Sequence, residues 1–363
     1  MIPKTMKAMV LHGHGGLDQY QWHEDWPTPT PGPDQVLIKV AACGLNNTDV
    51  NTRSGWYSKA VTEATTGTSE TDPGTDDPAW GGAPVAFPRI QGADVCGHVV
   101  AAGRHANRDL IGKRVITDNW LRDWDDPLDK TKTGYYGSEA DGGFAEYTVT
   151  DHRNVAAIDS PLSDAELATF SCSYSTAEGM LARARVGAGD RVLITGASGG
   201  VGSALIQLAK RRGATVIAMA SEAKHAGLRA LNPDALLPRA PANLRAALTS
   251  ATGSDQVDVV ADIVGGPAFA EIIDVLARGG RYTCSGAIAG PMVTLDLRTL
   301  YLRDLTFTGS TVIDPHVFTD LVGYIERGEV RPMLAATYPL HDLAAAQTAF
   351  IEKAHTGNIV VVP

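Results

Sequence analysis

The sequence predicts a two-part α/β chain, a β-rich N-terminal part followed by a doubly wound parallel sheet. Two observations carry that fold class. In Arg191–Met219, RVLITGASGGVGSALIQLAKRRGATVIAM, the β-branched run Val192–Thr195 meets a glycine-rich turn, the amphipathic segment Val201–Arg212 follows, and a second β-branched run starts at Thr215. That order is strand, turn, helix, strand. The alternation then continues, with Asp258–Ile263 as strand, Pro267–Leu276 as helix and Arg281–Ser285 as strand. Strands joined through a helix in this way run parallel. Thr306–Thr311 reads as an edge strand of the same sheet.

Ahead of this unit, Met6–Leu11 and Gln35–Ala41 read as strands, linked through the proline-rich Pro27–Pro33. Ala41–Lys59 is rich in amides and hydroxyls just after a strand end, a common place for active-site side chains. Val61–Pro84 shows no hydrophobic period and is expected to be a long surface loop or lid. Strand signals resume near Arg89, run to Gly103 and recur at Arg114–Thr117. A second long loop, Asp118–Gly143, carries Trp120, Trp124, Tyr135 and Tyr136, which either line a pocket or pin the loop to the core. Phe144–Thr150 reads as strand and Ser163–Arg185 as helix. Beyond the parallel sheet, Val317–Arg327 and Asp342–Lys353 read as helices and Ile359–Val362 as a closing strand.

At 363 residues two domains are expected, and 44% apolar content is ample for their cores. No window is apolar enough to span a membrane and the N-terminus lacks the apolar region of a signal peptide, so a soluble, cytoplasmic protein is expected. The net charge of −10, from 31 basic and 41 acidic residues, argues against nucleic acid and anionic membranes as partners and for a small-molecule substrate. Cys43, Cys96, Cys172 and Cys284 are scattered without a CxxC pair, indicating neither a disulfide framework nor a zinc knuckle. In Cys96-Gly97-His98 a packed cysteine and a hydrogen-bonded histidine are expected, not a metal site.

The turn Gly196-Ala197-Ser198-Gly199-Gly200-Val201-Gly202 predicts a nucleotide site. Glycines spare an approaching pyrophosphate the clash of a Cβ, and the helix start presents unpaired N–H groups and a partial positive charge. Ala197 departs from the strict G-x-G-x-x-G pattern, so the surrounding βαβ context carries the signal. Cofactor choice turns on the end of the second strand, where a carboxylate selects NAD. Ser221 stands there, with Lys224 three residues on and Arg239 at the next strand end, a set suited to a 2′-phosphate and hence to NADP. Glu222, if turned inward, would favour NAD instead.

Taken together, ITGASGGVG, VDVVADIVGG, ARGGRYTCSGAIAG, LYLRDLTFTGS and TGNIVVVP resemble, in order and nearly end to end, the landmarks of the medium-chain dehydrogenase/reductase superfamily. The resemblance implies a GroES-like catalytic domain over 1–160, completed by 313–363, and a Rossmann NAD(P)-binding domain over 161–312. It also implies a homodimer joined through the sheet edge near Leu300–Val312, and cofactor contacts from Thr176, Ser285 and Gly286. The superfamily's zinc enzymes place a cysteine where this chain has Asn46 and a Gly-His-Glu triplet where it has Gly92-Ala93-Asp94; of their ligands only Cys172 is kept. One thiolate cannot make a catalytic zinc site, and no four-cysteine lobe exists, so no zinc is expected. The zinc-lacking quinone oxidoreductase and enoyl reductase branch is the better match. It shares G-A-x-G-G-V-G, the Phe87–Val99 motif FPRIQGADVCGHV, and the spacing Asn46-x-x-Asp49-x(5)-Gly55-x-Tyr57.

In that branch the asparagine approaches the nicotinamide end of the cofactor and the tyrosine borders the substrate cleft. Without a metal, alcohol oxidation lacks its Lewis acid, and Asn51 cannot shuttle a proton as a histidine would. Hydride addition to a quinone or an α,β-unsaturated carbonyl needs proximity and a hydrogen-bond donor. Tyr57 is the candidate donor, or else only an amphipathic wall of the cleft with solvent supplying the proton; Asn46 is the expected positioner, Thr48 a hydroxyl, and Asp49 holds the loop through backbone N–H bonds. Two alternatives stay open: an alcohol or carbonyl dehydrogenase with a degenerate metal site around Cys172 and Asp94, and a nucleotide-binding structural or sensor protein without turnover.

Overall fold

The computed structural model describes residues 1–66 and 82–363. The chain forms two compact units. One comprises Met1–Val61, Thr66–Cys172 and Asp314–Pro363, the other Thr62–Thr65 and Ser173–Ile313.

The first unit is built on a seven-stranded sheet ordered Leu334–Pro339, Asn358–Val362, Gln35–Gly44, Asp94–Ala102, Arg114–Thr117, Val155–Ala157, with Tyr147–Asp151 also pairing Gln35–Gly44. Gln35–Gly44 lies at its centre because its apolar side chains find partners on both faces, and Val36, Ile38 and Val40 join a core with Met9, Val95, Val99 and Phe144. Its antiparallel register with Asp94–Ala102 runs from Val36↔Ala102 to Gly44↔Asp94. That pairing sets Gly44-Leu45-Asn46 beside Asp94 and so determines where the site forms.

Several expected elements shift for identifiable reasons. The strand predicted from Phe144 begins at Tyr147, because Phe144 is taken by other partners: its N–H donates to the Gln91 carbonyl (2.9 Å) and its carbonyl accepts from Met9 (2.9 Å). The single helix predicted over Ser163–Arg185 is two, Asp164–Leu167 and Ser171–Arg183. In the Asp118–Gly143 loop, Trp120–Leu121 pairs with Gly134–Tyr135, and Trp120, Tyr135 and Tyr136 are buried. Tyr136 sits in the core and bonds the Thr148 hydroxyl. These aromatics pin the loop. Cys96 is buried as expected, whereas His98 is exposed.

The second unit holds a six-stranded, wholly parallel sheet ordered Ala235–Pro238, Thr215–Ala220, Arg191–Ile194, Val257–Asp262, Leu276–Cys284, Thr306–Gly309. The order reverses at Arg191–Ile194, the switch point where such sheets bind ligands outside the strands' carboxyl ends. The helix expected over Pro267–Leu276 is confined to Phe269–Asp274. Leu276 instead pairs with Val257 and opens the next strand. Of the predicted loop Val61–Pro84, residues 67–81 lie outside the described residues; before them, the Thr65 N–H donates to the Ile288 carbonyl (3.0 Å). Among the described residues, no helix is long and apolar enough to cross a membrane.

Candidate active site

In the first unit the chain leaves Gln35–Gly44 and turns at once into the helix Asn47–Ser54. The Asn46 N–H donates to Asp49 Oδ2 (2.7 Å), closing the helix start with the carboxylate three residues on. Burial pushes the Asp49 carboxyl up to about 7, against the pull of that N–H, and nearby Asp94 adds to the rise. The helix ends at Gly55, whose φ of 70° suits a residue without a Cβ, and the chain then delivers Tyr57.

The helix is held from behind by a buried polar circuit. Arg53, fully buried, donates to Gln347 Oε1 (3.1 Å) and to the Gly15 carbonyl (2.6 Å). Gln347 Nε2 donates to the Tyr20 hydroxyl (2.9 Å), Tyr20 donates to Gln91, and Gln91 Nε2 donates to the Asp49 carbonyl (3.2 Å). From the same C-terminal segment, Lys353 Nζ donates to Asn47 Oδ1 (2.9 Å). The last elements of the chain thus fix the helix that carries the site.

Around this helix the predicted residues gather with Asn119, which the sequence did not single out. Asp94 is buried and its carboxyl is pushed up to about 6 by burial; Asn46 and Asn119 side chains bond it and hold it back. Asn119 Nδ2 donates to Asp94 Oδ1 (3.0 Å) and to the Tyr135 hydroxyl (3.1 Å), and the Cys172 N–H donates to Asp94 Oδ1 (2.8 Å). The break between the two helices after Leu167 presents that N–H. Burial raises the Tyr135 phenol well above its ordinary value, with Cys172 the next cause and a bonding partner. Tyr57 is half-buried; burial pushes its phenol up to about 12, while the Thr48 and Asn51 side chains bond it. Thr48 thus meets Tyr57, while Asn46 lies at the helix start with Asp49 and Asp94. Asn51, noted in the sequence only as unable to shuttle a proton, is a partner of Tyr57. Asn119 and Tyr135 lay in a stretch with no readable period.

In the second unit, the nucleotide turn follows strand Arg191–Ile194. Gly196 has φ +58°. At Gly202 an added Cβ would lie 2.3 Å from the Gly196 carbonyl oxygen, so this glycine lets helix and turn touch. At Gly199 the nearest such atom is 3.8 Å away, leaving open space at the helix start. Ala197 is buried and its N–H bonds the Met219 carbonyl (3.0 Å); Ser198, Gly200 and Val201 are half-buried. Helix Gly200–Arg211 then begins. Ser221 follows strand Thr215–Ala220 directly, and Ala220 pairs with Pro238, so Ser221 and Arg239 leave neighbouring strand ends. Lys224 is held below its ordinary value by burial and by Arg239, which places two cations close together; Glu222 is exposed. Ser285 is half-buried and its N–H donates to the Asp262 carbonyl (3.3 Å), Gly286 is exposed, and Thr176 is half-buried in helix Ser171–Arg183.

Residues 32–160 match the alcohol dehydrogenase GroES-like domain, and residues 200–327 match the zinc-binding dehydrogenase family. Over its full length the chain is 30% identical to the chloroplastic NADPH-dependent alkenal/one oxidoreductase of Arabidopsis thaliana, spanning 81% of that protein. The chain belongs to the medium-chain dehydrogenase/reductase superfamily. It is 26% identical to the quinone oxidoreductase of Rattus norvegicus, over 96% of this chain and 94% of that one. A crystal structure of a putative alcohol dehydrogenase from Sinorhizobium meliloti superposes with a TM-score of 0.89 at 45% identity, covering 100% of this chain and 98% of the other. Like these relatives, this superfamily member is an oxidoreductase.

One of the matching families is named for zinc. A catalytic zinc needs three protein ligands and an open position. Here Asn46 offers a neutral amide in place of a thiolate, and Asp94 Oδ1 accepts from Asn119 Nδ2 and from the Cys172 N–H. Among the described residues, no group of three His, Cys, Asp or Glu side chains could hold a metal. The donor set does not fit the ion.

Proposed function

We propose that this oxidoreductase is an NADPH-dependent, zinc-independent reductase acting on quinones or α,β-unsaturated carbonyl compounds. The observation that supports this reading is the donor set around Asp94: amides of Asn46 and Asn119 and the Cys172 N–H surround its carboxyl, and among the described residues no three His, Cys, Asp or Glu side chains could hold a Lewis acid. Without one, an acceptor must be electron-poor before it arrives. The names of the alkenal/one and quinone oxidoreductases point to the same acceptors.

Bound NADPH would supply the hydride. Gly196, Ala197, Ser198, Gly199, Gly200, Val201 and Gly202 suit its pyrophosphate, and the Lys224–Arg239 pair with Ser221 suits its 2′-phosphate. Thr176, Ser285 and Gly286 are proposed contacts to its nicotinamide end. Tyr57, protonated at neutral pH as any tyrosine is and more firmly so for its burial, donates a hydrogen bond to the oxygen on which negative charge develops. Thr48 and Asn51 orient that phenol, and Asn46 is a positioning residue. The first unit serves as catalytic domain and the second as cofactor domain of a cytoplasmic homodimer.

Cofactor oxidation is measured against quinones, enals, enones and enoyl thioesters with NADPH and with NADH. Turnover of at least one such acceptor with NADPH preferred is the expected result. A second reading, an alcohol dehydrogenase with an unusual metal site, is favoured by the name of the 45% identical structure and by the nearness of Cys172 to Asp94. Elemental analysis separates the two, because stoichiometric zinc in active protein overturns the first.

A further inference from the structure

Asp262 closes strand Val257–Asp262 and is fully buried. Its Oδ1 accepts from the Thr195 hydroxyl (2.5 Å) and the Val264 N–H (2.8 Å), and its Oδ2 accepts from the Tyr282 hydroxyl (2.8 Å). The Gly265 N–H reaches both oxygens, at 3.2 and 3.3 Å. These donors are two hydroxyls and two backbone amides. None carries charge, so they hold a carboxylate without neutralising it, and the field of a buried unit charge reaches far where the surroundings polarise little.

The placement of this charge is informative. Asp262 pairs with Cys284 across parallel strands, and its carbonyl accepts from the Ser285 N–H. Thr195 directly precedes Gly196 of the nucleotide turn. The carboxylate therefore sits under the carboxyl ends of the central strands, beside the segment proposed above to meet the nicotinamide. An oxidised nicotinamide ring carries a positive charge and a reduced ring carries none.

We infer that Asp262 is a fixed negative charge that makes the nucleotide unit prefer oxidised over reduced cofactor. It thereby tilts hydride transfer on the protein toward reduction of the acceptor. This rests on the cofactor reading above. A ligand shifts an equilibrium only by its differential affinity for the two states, and Asp262 supplies such a difference between the two redox forms. Asp262 is a positioning residue in its bonds to Thr195 and Val264, but its charge has an effect that mere positioning would lack.

The test is calorimetric titration of the full-length protein with NADP⁺ and with NADPH, comparing wild type, Asp262→Asn and Tyr282→Phe. The expected result for Asp262→Asn is that binding of NADP⁺ weakens about fivefold or more relative to NADPH. Tyr282→Phe keeps the charge and removes a dipole that partly offsets it, so it is expected to move the ratio the other way. Equal weakening of both forms in Asp262→Asn reduces the residue to a structural bond and overturns the inference. If Asp262→Asn does not fold, an unchanged ratio in Tyr282→Phe overturns it equally. A wild-type protein that binds neither form overturns the cofactor reading instead.

Discussion

Lys224 is held below its ordinary value by burial and then by the nearby Arg239 cation, an arrangement that an anion between the two would relieve. Removing one should therefore harm binding of the phosphorylated cofactor selectively. Lys224→Ala is expected to raise KM for NADPH about tenfold or more while leaving KM for NADH within about twofold, since a charged hydrogen bond contributes about 1.5–3 kcal/mol. Equal changes for both cofactors in steady-state kinetics would remove the 2′-phosphate assignment. Asp94 makes a prediction of a different kind. Its folded carboxyl, near 6, lies above its unfolded value of 3.8, so between those two pH values the folded protein holds a proton that the unfolded chain has released. Stability from this group is greatest at low pH and falls as pH rises through that window, with a total on the order of 3 kcal/mol. Asp49, with its carboxyl near 7, acts in the same direction over a slightly higher range. Asp94→Asn should flatten the loss of stability between pH 4 and pH 7 relative to wild type in denaturant unfolding. An unchanged slope would show that Asp94 is ionised throughout.

At the scale of elements, the glycines of the nucleotide turn divide into those the fold requires and one it does not. An added Cβ at Gly202 would lie 2.3 Å from the Gly196 carbonyl oxygen, whereas at Gly199, whose φ of −82° any residue adopts, nothing is closer than 3.8 Å. Gly202→Ala is expected to destabilise the protein by about 2 kcal/mol or more through forced separation of helix and turn. Gly199→Ala should unfold within about 0.5 kcal/mol of wild type yet bind NADPH at least tenfold more weakly, because its methyl enters space the phosphates would use. Chemical denaturation beside cofactor titration distinguishes the two, and a Gly199→Ala protein that binds normally would contradict the reading of the turn. This turn was legible because period and punctuation were both strong: a β-branched strand, glycines and an amphipathic helix leave few alternatives. Asn46, Thr48 and Tyr57 were legible through a spacing that puts them on and around one short helix. The break that divides Ser163–Arg185 was not. Its cause lies in tertiary structure, where the Asp94 carboxylate accepts the Cys172 N–H, and no local signal announces it. Asn119 was hidden for a similar reason: it stands just before a two-residue pairing inside a charged loop, too short to show a strand's alternation. Arg53 illustrates the converse, an ordinary arginine in sequence whose burial depends on Gln347, nearly three hundred residues away.

At the scale of the whole molecule, the parallel sheet of the second unit poses the open-edge problem. Thr306–Gly309 is the last strand in its order, and Thr306 and Gly309 are exposed. The segment leading to it exposes Met292, Leu297, Tyr301 and Leu302, large apolar side chains gathered in one short stretch. An exposed strand edge flanked by apolar side chains is a template for pairing with another chain. A second copy is the simplest partner, since a two-fold axis beside the edge would set strand Thr306–Gly309 antiparallel to itself and bury both apolar clusters at once. The protein is accordingly expected to sediment at twice its 38.2 kDa chain mass at micromolar concentration. Leu297→Glu combined with Tyr301→Glu places like charges face to face across that axis. It should yield a monomer whose far-ultraviolet circular dichroism is unchanged, because neither side chain belongs to a buried core. A wild-type monomer would leave the edge without a partner, and a dimer that survives both substitutions would move the contact elsewhere on the surface. NADPH titration of the same variant adds a second readout. The nucleotide turn lies at the carboxyl ends of the central strands rather than at the sheet edge, so cofactor affinity should be kept while the mass halves.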